Sequence, residues 1–121
     1  DKNCLTVLDH PLVGHKMTIL RDESTAPAHF RKLVHELAAL EAYEATRDLP
    51  TLQVQVKTPI CETEGVRLKD DTLAVVPILR AGMGMLEGVL SVVPSAAVGV
   101  LGMERNEETH EPHSYYAKMP C

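Results

Sequence analysis

Apolar residues are spaced in a different way in each stretch of the chain, and the changes of spacing mark its elements. Leu12, Val13, Met17 and Leu20 fall on one face of a short helix, which the polar residues 22–25 interrupt. Phe30, Leu33, Val34, Leu37 and Leu40 then recur at threes and fours, and predict an amphipathic helix with Thr25 as N-cap and Pro27 in its first turn. Asp48-Leu49-Pro50 ends it. Leu52, Val54 and Val56 alternate with Gln53, Gln55 and Lys57, the period of a half-buried strand with one wet face, at the edge of an antiparallel pair. Residues 59–72 carry Pro59, Gly65 and the pair Asp70-Asp71, and read as a second short strand and a turn.

Residues 73–79, Leu-Ala-Val-Val-Pro-Ile-Leu, are apolar without alternation, as in a parallel strand covered on both faces. Pro77 has no N–H to give a ladder, so the pairing is expected to end near it. Residues 80–84 form a turn. Met85, Leu86, Val89, Leu90 and Val93 predict a helix that stops at Pro94. Val98, Val100 and Leu101 make a further buried strand, and a polar loop over residues 104–113 leads to a short strand over 114–119. Strand, turn, helix and strand form a βαβ unit in one parallel sheet, so the fold class is α/β.

Composition narrows what such a fold could do. The chain has 121 residues, 45% of them hydrophobic, with 12 Lys and Arg against 17 Asp and Glu. A chain of this length can bury roughly two thirds of its unfolded surface, enough for one autonomous domain. The acidic balance excludes nucleic-acid binding by bulk charge, and any bound anion must be held by local geometry. With no Trp, one Phe and three Tyr there is no base-stacking platform. No apolar run nears the ~20 residues that span a bilayer. Cys4, Cys61 and Cys121 form no Cys-x-x-Cys pair, and we expect reduced thiols. The chain opens on Asp-Lys-Asn-Cys with neither a methionine nor a signal-peptide pattern, so a processed or cut start and a cytoplasmic location are expected.

The chemistry concentrates at the turn after the apolar strand. Open α/β sheets bind ligands at the C-terminal ends of their strands, and Gly82 and Gly84 would let backbone N–H groups approach an anion at a helix N-terminus, with Arg80 adding a positive fork. Phosphate or pyrophosphate is the guest this arrangement suits. A helix-entry turn whose glycines serve only tight packing fits the spacing equally well. A dinucleotide site would take Glu104 as its ribose acid, but Glu87 stands where the third glycine of G-x-G-x-x-G belongs. His110 and His113 lie in a loop around Pro112, without the helical spacing of a metal pair. Met83 and Met85 read as core filling.

Several blocks of the chain, in collinear order, resemble the N-terminal half of the uracil phosphoribosyltransferase family. They are Asp9-His10-Pro11-Leu12-Val13, His15-Lys16, Arg21-Asp22, Phe30-Arg31 and Tyr43-Glu44-Ala45-Thr46-Arg47-Asp48-Leu49. Val76-Pro77-Ile78-Leu79-Arg80-Ala81-Gly82-Met83-Gly84-Met85 follows, then Gly102-Met103-Glu104-Arg105-Asn106-Glu107-Glu108-Thr109, Glu111-Pro112 and Tyr115-Tyr116. The resemblance implies a type I phosphoribosyltransferase fold: a parallel sheet with flanking helices, N-terminal helices and a β-hairpin arm. Residues 1–121 would be the N-terminal part of that single domain.

The family makes UMP and diphosphate from uracil and 5-phosphoribosyl 1-diphosphate (PRPP) in pyrimidine salvage, with Mg2+ at the PRPP. By this likeness Arg80, Ala81 and Gly82 form the pyrophosphate loop, with a non-prolyl cis peptide at the Arg80-Ala81 bond, and Arg105 is the second PRPP-binding arginine. The likeness also offers Lys16, Arg21 and Arg31 to GTP as an allosteric activator, and implies a homo-oligomer. No catalytic nucleophile and no protein-held metal are expected, because the task is to stabilise a departing polyanion. A non-catalytic module binding phosphate or nucleotide through Arg80 and the glycine turn is the rival from another class.

Two family parts have no match here. The loop for the ribose 5-phosphate, which reads acid-Pro-Met-Leu-Ala-Thr-Gly or close to it, is missing, and no Thr-Gly dipeptide occurs. The C-terminal hood that reads uracil is missing too. The 121-residue chain by itself is therefore expected to form no UMP, and an assay of the purified chain that gave rates near those of the family would overturn this.

Overall fold

The computed structural model describes residues 4–69 and 73–120, so the acidic pair Asp70-Asp71 and Cys121 lie outside the described residues. Two helices open the chain, α1 (Pro11–Arg21) and α2 (Pro27–Ala45). His10 caps α1, its Nδ1 accepting the Leu12 N–H at 3.1 Å, and Pro11 occupies a first-turn position where no N–H is needed. Thr25 does not cap α2. Ala26 holds that position without a side-chain bond, while the Thr25 hydroxyl donates back to the Ile19 carbonyl and pins the turn between the helices.

α2 ends at Ala45, three residues before the Asp48-Leu49-Pro50 stop. There the Thr46 hydroxyl donates to the Ala42 carbonyl at 2.8 Å, and Arg47 makes a two-pronged pair with Glu44, at 3.0 and 2.7 Å. The family-like Tyr43-Glu44-Ala45-Thr46-Arg47 block thus closes a helix.

Strands β1 (Thr51–Lys57) and β2 (Glu62–Leu68) pair antiparallel, Val54 opposite Gly65 and Leu52 opposite Arg67. The alternation located β1 correctly but overstated its burial. Only Val54 is half-buried, because the hairpin pairs with itself and no layer lies beneath it among the described residues.

The apolar run divides into β3 (Ala74–Val75) and β4 (Ile78–Leu79), and the following strand into β5 (Ala97–Val98) and β6 (Val100–Arg105). β3 pairs parallel with β5 and β4 parallel with β6. Pairing does not end at Pro77. The proline gives no N–H, yet its carbonyl accepts from Leu101 at 3.1 Å, as the Val75 carbonyl accepts from Gly99 at 2.9 Å, so the two halves run on as one ladder. β7 (Pro112–Lys118) lies antiparallel on the far side of β6, with a register shift at Gly102/Met103. The predicted 104–113 loop is shorter than expected, since Glu104 pairs with His113 and Arg105 with Pro112. The expected cover on both faces of residues 73–79 is also not found: Ala74, Val76 and Ile78 are exposed.

Helix α3 (Met83–Val92) completes the βαβ unit and packs on α2. The core leucines and alanines that are buried among the described residues, Leu33, Leu37, Ala38 and Ala42, all lie on α2. Gly88 of α3 is seated on that helix, where a Cβ would overlap the His35 carbonyl oxygen and stand 2.8 Å from the Ala38 Cβ. Met83 and Met85 are exposed instead of filling the core. The chain exposes 9962 Å², against about 6,500 Å² for a compact monomer of 13.3 kDa. The length estimate assumed a compact body, and the uncovered hairpin and sheet break that assumption.

α1 is tied to α2 by Lys16, whose Nζ lies 2.9 Å from Glu36 Oε2. The hydrogen bond from Lys16 holds the Glu36 carboxyl below its ordinary range, with smaller help from the charges of Lys16, Lys32 and His29. A carboxylate depressed in the folded state stabilises the fold above its unfolded pKa and loses that contribution as pH falls through the folded value. Acidification through the carboxylate range should therefore loosen α1 from α2. In an NMR titration, Lys16→Met should raise the Glu36 midpoint, and an unmoved midpoint would refute the pairing. Gly88→Ala should lower stability by about 1–3 kcal/mol through overpacking, read by urea denaturation; an unchanged midpoint would show that the helix crossing yields freely.

Candidate pyrophosphate site

The turn after β4 is built from its own backbone. The Gly82 N–H donates to the Ile78 carbonyl at 2.7 Å, Met83 N–H to the Arg80 carbonyl at 3.1 Å, and Met85 N–H to the Gly82 carbonyl at 3.2 Å. A Cβ on Gly82 would lie 2.8 Å from both the nitrogen and the oxygen of Ile78, so only glycine fits this close return of the chain. Gly82 is the N-cap of α3, and Met83 and Gly84, expected in the turn, are already helical. The packing reason for a glycine thus holds at Gly82 whether or not an anion binds.

A non-prolyl cis peptide is present, at Leu79-Arg80, one bond earlier than the Arg80-Ala81 position implied by the resemblance. Arg80 leaves the C-terminal end of β4 exposed, and Ala81 beside it is exposed as well. Of the loop's donors, the Gly82 and Met83 N–H groups are spent in the turn. Those of Arg80 and Ala81 make no backbone bond among the described residues, and stand just ahead of α3 in the chain as candidates for an anion.

Arg105 ends β6, the parallel neighbour of β4. Leu79 is in register with Gly102, so Arg105 stands two residues past the level of Arg80, roughly 7 Å at 3.3 Å per residue. Both arginines therefore sit at the same, C-terminal, edge of the sheet, and among the described residues neither is in an ion pair. Beyond Arg105 the chain reverses in a tip ordered by Asn106. Its Oδ1 accepts the N–H groups of Glu108 at 2.8 Å and Thr109 at 3.1 Å, its own N–H donates to the Glu111 carbonyl, and His110 takes φ 61°. In the sequence Asn106 draws notice only within a family-like block. An Asn ahead of a polar run is the local signal for such a turn. An open depression of about 360 Å³ runs along Met103, Glu104, Arg105, His110 and Pro112.

The remaining sequence candidates are dispersed. Lys16 is held by Glu36, while Arg21 closes α1 and Arg31 is exposed on α2. Cys4 and Cys61 are exposed and free. Among the described residues no three His, Cys, Asp or Glu side chains gather as metal ligands, His110 and His113 included. No helix among them is long and apolar enough to cross a membrane. A cavity of about 690 Å³ lies apart from both arginines, between the N-terminal segment, α1 and α2.

Residues 7–121 match the family model of uracil phosphoribosyltransferase. The uracil phosphoribosyltransferase of Symbiobacterium thermophilum is 51% identical over 116 residues, covering 96% of this chain and 56% of that protein. That of Streptomyces coelicolor is 55% identical over 116 residues, covering 96% and 55%. Among solved structures, the AQ2163 protein of Aquifex aeolicus superposes with a TM-score of 0.87 at 43% identity, over 95% of this chain and 55% of that one. The chain thus spans about half the length of the relatives it matches. With the apolar strand, its glycine turn and both arginine-bearing strand ends inside the matched region, the chain belongs to the uracil phosphoribosyltransferase family.

Proposed function

We propose that the protein carrying this chain makes UMP and diphosphate from uracil and PRPP, and that residues 1–121 are the N-terminal part of its catalytic domain. In this reading the bond from the ribose anomeric carbon to diphosphate breaks. A uracil ring nitrogen takes its place and loses its proton. The observation that carries the reading is the placement of Arg80 and Arg105 on neighbouring parallel strand ends beside the start of α3, within a chain matched to the family from residue 7 onward.

The transition state gathers charge on the leaving diphosphate, so the useful protein groups are fixed donors already in place. Arg80, the free N–H groups of Arg80 and Ala81, and the tight return at Gly82 supply one side of it. Arg105 supplies a second cation from the hairpin. The described residues contain no cage for Mg2+, so in this reading the ion enters as the counter-ion of the diphosphate, as part of the substrate. Lys16, Arg21 and Arg31 are the cations we assign to GTP as an activator, which requires Lys16 to leave Glu36. We further place the protein in the cytoplasm as a homo-oligomer.

An NMR titration of the 121-residue chain with Mg2+ and PRPP tests the binding half. Amides of residues 80–84 should shift, and Arg80→Ala should weaken binding about tenfold or more, the scale of a hydrogen bond to a charged group at 1.5–3 kcal/mol. Binding unaffected by that substitution would overturn the site. In a full-length form, the same substitution should depress UMP formation, whereas binding without any turnover would favour the non-catalytic module.

A further inference from the structure

Arg105 stands where β6 has few supports. The pairing of β6 with β4 ends at Leu79 and Gly102, so at Arg105 the strand lies against β7 alone among the described residues, and its partner there, Pro112, has no N–H to give. Beyond Arg105 runs Asn106-Glu107-Glu108-Thr109-His110-Glu111, which tethers three carboxylates to the arginine by a few residues of chain. Left loose, such a segment would offer those carboxylates to the guanidinium in place of a ligand. The order of the tip converges on Asn106. Its Oδ1 accepts the N–H groups of Glu108 at 2.8 Å and Thr109 at 3.1 Å, its N–H donates to the Glu111 carbonyl at 2.9 Å, and its carbonyl accepts the His110 N–H at 2.8 Å. The last of these bonds holds His110 at φ 61°, in the left-handed region that side chains seldom adopt. The tip's other bond among the described residues, from the Glu111 N–H to Thr109 Oγ1, is long at 3.4 Å.

We propose that Asn106 is a positioning residue for Arg105: by closing the tip it holds the guanidinium at the sheet edge, free of the neighbouring carboxylates, for the diphosphate of PRPP. This rests on the reading of Arg105 given under the proposed function, and adds the residue that keeps that cation available. Asn106 acts through its neighbour, since its Oδ1, N–H and carbonyl are all engaged within the tip. Asn106→Ala removes only the two Oδ1 bonds. The tip is exposed, so water takes their place while the backbone bonds of residue 106 remain, and the fold survives with a looser tip. Binding PRPP must then re-order the tip and draw Arg105 away from its acidic neighbours, and that cost appears as lost affinity.

Affinity for PRPP with Mg2+ tests it, read by NMR titration of the 121-residue chain and by kcat/KM in a full-length form. Four forms are compared: unsubstituted, Asn106→Ala, Arg105→Ala and both substitutions together. Arg105→Ala should weaken binding about tenfold or more, and Asn106→Ala about three- to tenfold. The double variant should stay within about twofold of Arg105→Ala alone, because nothing remains to be positioned. A merely structural role would weaken binding in the Arg105→Ala background as well, and that result would overturn the proposal. Asn106→Ser keeps an acceptor for the same N–H groups and should lose less than Asn106→Ala; an equal or greater loss would count against the turn as the cause, and the serine variant carries the same cycle should the alanine variant fail to fold. If Arg105→Ala leaves binding unchanged, or neither form of the protein binds PRPP, the reading of Arg105 falls and takes this inference with it. A loss seen with Arg105→Ala but not with Asn106→Ala overturns this inference alone.

Discussion

The crossing of α2 and α3 holds the site in place, because the buried leucines and alanines among the described residues lie on α2 and α3 is the element laid against it. The approach is close only because Gly88 presents no side chain to the His35 carbonyl and Ala38 meets it with a methyl group. α3 in turn begins at Gly82, whose N–H ties back to Ile78. The position of Arg80 is therefore transmitted from a helix contact through one helix and one turn. Little else in the described chain is packed tightly enough to do this.

Periodicity made the elements legible and left their surroundings hidden. Both N-terminal helices, the first hairpin strand and the helix of the βαβ unit follow from spacings of two, three and four, since those spacings are set by backbone geometry within a segment. Burial is a property of what lies across from a segment. The alternation in β1 and the unbroken apolar run at 73–79 promised faces with cover, and no such cover is found among the described residues. The same distinction explains the caps. Thr25 and His10 are both plausible first-turn acceptors by type, and only the path of the chain decides that His10 caps while Thr25 donates to Ile19.

Local chemistry was legible to a similar depth. Arg80 and the glycine turn could be singled out from strand-turn-helix order alone, but the spacing left packing and anion binding equally open. Geometry gives Gly82 a definite packing role without removing the other. Arg105 carried no signal of its own beside Glu104, Glu107 and Glu108; it drew notice only through the family-like block, and gains a neighbour in Arg80 only through the parallel register of β4 and β6. The order of the hairpin tip, by contrast, could have been read from Asn106.

The proposed polyanionic substrate sets an acidic chain a problem of range. At physiological ionic strength charges beyond about 8 Å are largely screened, so the net charge of −5 opposes binding weakly while groups in contact with the ligand act at full strength. What matters is therefore how few groups are fixed, and how firmly. Among the described residues neither arginine is compensated by an ion pair, and each stands at a strand end whose position is set by backbone bonds. Arg47, by contrast, is locked to Glu44 and closes a helix. Lys16 and Arg47 are thus engaged within the fold, whereas Arg80 and Arg105 at the C-terminal sheet edge are the cations that the proposed function would use.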